Sequence, residues 1–109
     1  MSWLVTGGAG YIGSHVVRSL QAAGFEPVVV DSMSSGVRSF VPEEVPFYQL
    51  SILQTEKLVE IMKRHEVTGV IHLAGYKYAG ESVKHPLLAF EQNATGTAHL
   101  LDAMATARV

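Results

Sequence analysis

Three observations predict an α/β fold of about four parallel strands in the order 3-2-1-4, with helices on both faces. Strand and helix signals alternate along the chain; a glycine string separates the first strand from the first helix; and an aspartate closes the second strand.

The elements follow in order. Trp3-Leu4-Val5-Thr6 reads as a short buried strand leading into glycines. Ile12, Val16, Leu20 and Ala23 then recur at helical spacing as one apolar face, with Arg18 and Gln21 off it and Gly24 as the stop. Pro27-Val28-Val29-Val30 is a β-branched second strand, covered on both faces and ending at Asp31. Residues 32 to 46 are rich in Ser, Gly and Pro and read as loop. Phe47-Tyr48-Gln49-Leu50 is a weaker third strand. Between Thr55 and His65, Leu58, Ile61, Met62 and His65 share a face, with Glu56 near the start and Lys63 and Arg64 near the end, as a helix dipole favours. Thr68 to Leu73 form the fourth strand, leading into Ala74-Gly75. Pro86 opens a long helix reaching about Ala105, since proline suits a first turn. A fifth strand is expected where the sequence stops at Arg108-Val109, so the fourth strand is expected to be an open edge through which the chain self-associates.

Composition narrows the function. The 109 residues are 48% hydrophobic and 17% charged, a foldable balance. No cysteine is present, which removes disulfide, thiol-nucleophile and zinc-thiolate chemistry. The net charge of −2 and the scattered basic residues give no stripe to neutralise nucleic-acid phosphates. His15, His65, His72, His85 and His99 form no i, i+4 pair, so no metal is expected. Without a signal-type leader or a membrane-length apolar run, a cytoplasmic chain with no membrane partner is expected.

Thr6-Gly7-Gly8-Ala9-Gly10-Tyr11-Ile12-Gly13 fits both G-x-G-x-x-G and G-x-x-G-x-x-G. Alone, such a string is only a strand-to-helix turn. Here it leaves a strand, enters a helix, and Asp31 follows at the end of the next strand, the arrangement of a Rossmann-type dinucleotide site. Glycines allow the tight turn and close approach of a pyrophosphate, and the helix N-terminus offers unpaired N–H groups to it. Asp31 is placed to accept the adenosine ribose hydroxyls. Its charge opposes a 2′-phosphate, favouring NAD over NADP; Arg38, in the following loop, either softens that preference or is simply solvated. A P-loop would need G-K-[ST] where the chain reads Gly13-Ser14-His15, and is excluded.

The Thr6–His15 stretch resembles the opening of the UDP-galactose (UDP-glucose) 4-epimerases, which are extended short-chain dehydrogenases/reductases. Leu73-Ala74-Gly75-Tyr76-Lys77, continuing through Gly80-Glu81-Ser82-Val83 to Pro86, is similar to the more particular epimerase segment after the fourth strand. Asn93-Ala94-Thr95-Gly96-Thr97 is similar to the family's N-V-x-G-T. The resemblance covers essentially the whole chain and corresponds to about the first third of such an enzyme. It implies that residues 1–109 are the N-terminal part of a dinucleotide-binding domain, with the remaining strands and the sugar-nucleotide domain beyond it.

By that resemblance NAD is the cofactor. Gly7, Gly10 and Gly13 would form the turn, and Tyr11 and Ile12 would donate backbone N–H groups to the pyrophosphate. Asp31 would hold the ribose, bordered by Ser32, Ser35 and Gly36. Leu73, Ala74, Gly75 and Lys77 would lie along the nicotinamide half, with Asn93 reaching it from the long helix. Lys77 also reads as a solvated loop lysine and Asn93 as an exposed residue without a task, although a mid-helix asparagine is mildly unfavourable. One departure stands out: the family usually has Asp followed by Ile or Val at the adenine, and Ser51-Ile52 stand there instead, removing a charged acceptor.

The family's chemistry needs a tyrosine base with a lysine four residues later. Tyr11, Tyr48, Tyr76 and Tyr78 are followed at that distance by His15, Ile52, Gly80 and Ser82, so no catalytic residue is assigned in this chain. UDP-sugar is expected as a partner only together with the absent C-terminal part. Two other readings stay open: a non-catalytic NAD-binding or scaffolding module, and part of another nucleotide-sugar epimerase or dehydratase.

Overall fold

The computed structural model describes residues 1–75 and 79–109. Its sheet has four parallel strands: β1 (Ser2–Thr6), β2 (Glu26–Asp31), β3 (Phe47–Gln49) and β4 (Val67–His72), in the order β3-β2-β1-β4. The expected order is therefore the observed one. Strand alternation splits the core in two. Leu4, Val28 and Val30 point to one side, where Leu58, Ile61 and Met62 of helix α2 (Thr55–Arg64) meet Leu100 and Ala103 of helix α5 (Gly96–Ala107). Val5 and Val29 point to the other side, against Val17 of helix α1 (Tyr11–Ala22). All are essentially inaccessible to water, and each large apolar side chain so buried contributes about 1.5–3 kcal/mol to folding.

The buried face of α1 differs from the expected one. Gly13, Ser14 and Val17 are buried, Val16 and Leu20 partly so, while Ile12 is 60% exposed and Ala23 is exposed. Apolar spacing alone misplaces the stripe because two of the inward positions carry small residues, which let the first turn of α1 sit directly on the glycine loop. Gly24 ends the helix in the left-handed region, φ 87°, while Phe25 N–H donates to the Leu20 carbonyl at 2.9 Å.

The 32–46 segment holds only a 3₁₀ turn at Arg38–Phe40, but it also contributes Val41 and Val45 to the α1-side core. The long helix starts at Pro86 as expected but is not uniform. Helix α3 (Ala79–Lys84) precedes α4 (Pro86–Phe90), and a π-helical turn at Glu91–Thr95 joins α4 to α5. The caps at Phe90, Glu91, Thr95 and Gly96 keep right-handed helical angles, so the rod from Pro86 is continuous with one widened turn. Gly96 is buried there, and a Cβ on it would stand 2.7 Å from Ile52 Cδ1.

Candidate functional site

A cleft of about 320 Å³ opens at the carboxyl ends of the strands, where parallel sheets of this kind bind ligands. Its floor is the glycine turn. Gly7 has φ 73°, and a Cβ there would meet the backbone of Leu73 and Ala74 at 2.8 Å. Close approach of two backbones thus dictates glycine. Gly13 is buried beneath, where a Cβ would collide with the Gly7 carbonyl oxygen.

Asp31 organises one side. Its Oδ2 accepts the Ala9 N–H at 3.0 Å and its Oδ1 accepts the Met33 N–H at 2.8 Å. The carboxylate therefore ties the glycine loop to the loop after β2, where Met33 turns with φ 67°. A carboxylate offers about four acceptor positions, so two remain.

The expected residues fall into four sets. Gly7, Gly10, Asp31, Ser32, Ser35, Gly36, Ser51, Ile52, Leu73, Ala74 and Gly75 all line the cleft. Tyr11, Ile12 and Gly13 form the first turn of α1 beside it; Tyr11 is 72% exposed. By helix geometry these three N–H groups have no acceptor within the helix. Asn93 comes in from the π turn, its Oδ1 2.8 Å from where a Cβ on Gly75 would stand. Lys77 lies outside the described residues. Ser51 closes a small turn: its Oγ accepts the Leu53 N–H at 3.1 Å, and its own N–H donates to Gln54 Oε1 at 3.1 Å.

Leu88 and Gln92 also line the cleft, as do Ser34, Val30 and Leu50. Sequence reasoning missed Val30 and Leu50 and, on the helix, Leu88 and Gln92. The four-residue separation of the helical pair, next to Asn93, was the available signal that one helical edge faces the site. Among the described residues no cluster of His, Asp or Glu could hold a metal, and no helix is long and apolar enough to cross a membrane.

The sheet order, the glycine turn and the cleft define a partial Rossmann-type α/β domain. Residues 3–109 match the NAD dependent epimerase/dehydratase family, and the chain belongs to it. UDP-glucose 4-epimerase of Mus musculus is 43% identical over 114 residues, spanning 93% of this chain and 33% of the mouse protein. The Klebsiella pneumoniae protein of the same name is 40% identical over 116 residues, spanning all of this chain and 84% of its own. The backbone superposes with a TM-score of 0.96 on UDP-glucose 4-epimerase from Stenotrophomonas maltophila, solved with NAD and formylated UDP-arabinopyranose. That protein is 39% identical, and the match covers 100% of this chain and 34% of that one. The chain thus spans about a third of the length of the mouse and Stenotrophomonas proteins.

Proposed function

We propose that the cleft binds NAD and that this chain is the cofactor-holding, N-terminal part of a UDP-sugar 4-epimerase. The observation that carries the reading is the convergence of Gly7, Gly10, Asp31, Ser51 and Leu73–Gly75 on one cleft at the carboxyl end of the sheet. Its likeness to a protein solved with both NAD and a UDP-sugar adds support.

The residues suit the cofactor. The pyrophosphate lies over Gly7–Gly13, where the N–H groups of Tyr11 and Ile12 are unpaired within α1 and the helix dipole attracts anions. The two remaining acceptor positions on Asp31 take the adenosine ribose hydroxyls, beside Ser32, Ser35 and Gly36, and its charge disfavours a 2′-phosphate. Ser51 and Ile52 border the adenine. Leu73, Ala74, Gly75, Lys77 and Asn93 serve the nicotinamide half. When bound, NAD supplies a hydride acceptor for transient oxidation at the sugar C4, the step that interconverts UDP-glucose and UDP-galactose.

The base for that step is not among these residues, since no tyrosine is followed four positions later by lysine. This chain alone therefore binds cofactor without turning over sugar. Self-association belongs to the same reading: among the described strands β4 pairs only with β1, and Leu87, Phe90 and Leu101 are exposed.

Calorimetric titration tests the reading. NAD is expected to bind more tightly than NADP, and saturating NAD to raise the melting temperature. No heat and no thermal shift with NAD would overturn it.

A further inference from the structure

At the end of β4 the His72 ring bridges β1 and α5, next to the cleft-lining Leu73 and Ala74. Its Nδ1 is 2.6 Å from the Thr6 hydroxyl at the end of β1, and its Nε2 is 3.2 Å from the Thr97 hydroxyl on α5. The protons can be assigned from the partners. Thr97 Oγ1 donates to the Asn93 carbonyl at 2.6 Å, so its one proton is committed and it accepts from the ring. Nε2 therefore carries the ring proton. Thr6 Oγ1 accepts the N–H groups of Leu73 and Ala74 at 3.1 and 3.2 Å, which occupies both lone pairs. Its own proton goes to Nδ1, which must be an acceptor. Every donor and acceptor is matched for one species only, the neutral imidazole protonated at Nε2.

We propose that His72, in this tautomer, is a positioning residue that holds the Leu73–Gly75 wall and the π turn bearing Asn93 in register, and that a second proton on the ring uncouples them. A proton on Nδ1 would point at a Thr6 oxygen with no lone pair left, and the Thr6 hydroxyl would lose its acceptor. Either the Leu73 and Ala74 amides are released or the ring turns away from Thr97. Partial burial also favours the neutral ring and holds its pKa below the usual histidine value. Among the described residues no charged neighbour contributes to that shift. β1 carries no titratable side chain and β4 only His72 itself. On the π turn and α5 the titratable groups are Glu91 and Asp102, both exposed, and His99, hydrogen-bonded to Thr55 on α2.

Long-range proton–nitrogen NMR of the histidine-labelled chain reads the tautomer directly. The expected result is an Nε2–H ring near neutral pH, with Leu73 and Ala74 amide exchange accelerating about fivefold or more, beyond the intrinsic pH effect, as His72 titrates. His72→Asn keeps an acceptor near Thr6 but cannot reach Thr97, and its Leu73 and Ala74 protection should no longer follow that titration. An Nδ1–H tautomer, or wild-type amides indifferent to His72 protonation, overturns the proposal, whether or not the variant folds. Only the effect on affinity rests on the NAD reading: NAD should bind about fivefold more weakly once the ring is charged in the wild type, and equally across that range in His72→Asn. Absence of NAD binding at any pH would defeat the NAD reading and leave the NMR result to decide on His72; affinity that changes equally in both chains would count against His72.

Discussion

Asn93 Oδ1 occupies the space that a side chain on Gly75 would need, 2.8 Å from the position of its Cβ. The two residues meet beside the cleft, Gly75 just after β4 and Asn93 on the π turn. Gly75 is exposed and its neighbour here is the end of a side chain, so an added methyl displaces the Asn93 side chain and not backbone. Gly75→Ala is expected to weaken NAD binding about fivefold, the worth of one ordinary hydrogen bond, while the melting temperature stays within about 2 °C. Calorimetric titration beside a thermal melt separates the two effects.

Gly13 inside α1 and Gly24 just past its end should differ sharply on replacement. At Gly13 a Cβ collides with the Gly7 carbonyl, a backbone atom that cannot step aside without opening the loop. At Gly24 nothing stands within 4 Å and only the left-handed φ of 87° resists a side chain. Gly24→Ala is expected to cost about 1–2 kcal/mol, and Gly13→Ala about 3 kcal/mol or more. Denaturant titration would show the ranking, and equal losses would contradict it.

Asp31 carries a structural duty beside its proposed one. Asp31→Ala removes the acceptor for both the Ala9 and Met33 N–H groups, so stability as well as NAD affinity should fall, stability by about 1–3 kcal/mol. Urea melts and NAD titrations at a temperature where both chains are folded give the two numbers. Unchanged NAD affinity would remove Asp31 from the site.

Acid should destabilise the fold from near neutrality. Burial lowers the pKa of His65, helped by the adjacent Arg64, and burial lowers that of His72, each from an ordinary 6.5. Below that value the unfolded chain binds more protons than the folded one, so stability falls as pH drops and levels off beneath the folded pKa values. Melting temperature measured from pH 7.5 to 5 should decline, and less steeply in His72→Asn. A flat profile in the wild type would contradict both shifts.

Sedimentation over a dilution series checks self-association. The average mass should rise with concentration, and a single monomeric boundary at tens of micromolar would refute it.

Much of this architecture was legible in the residues because the strong signals were local. Val28-Val29-Val30 and the Leu58, Ile61, Met62 stripe of α2 each lie within a few residues of sequence and are buried as expected. The glycine turn and Asp31 share one cleft because strand, turn and acid follow each other within one βαβ unit. What escaped depended on distant partners. Val41 and Val45 sit in a stretch that looks like loop, yet they close the core beneath α1. The apolar face of α1 was misjudged at Ile12 because Gly13 and Ser14 carry no hydrophobic signal, although they are the residues that touch the loop. The π turn has no periodic signature at all, and Leu88 and Gln92 joined the site through it.

That widened turn acts as a phase shifter along one rod. An α-helix advances about 100° per residue, so a single residue more or less between Glu91 and Thr95 rotates everything before it against everything after it. α5 is clamped by Leu100 and Ala103 in the core and by Gly96 against Ile52. Shortening the turn by one residue would therefore leave α5 seated and swing Leu88 and Gln92 round the axis, out of the cleft and toward solvent. The length of this segment sets which face of the rod the cleft sees, and for the fold point substitutions here should be far better tolerated than single-residue deletions, even where, as at Asn93, they would affect cofactor binding.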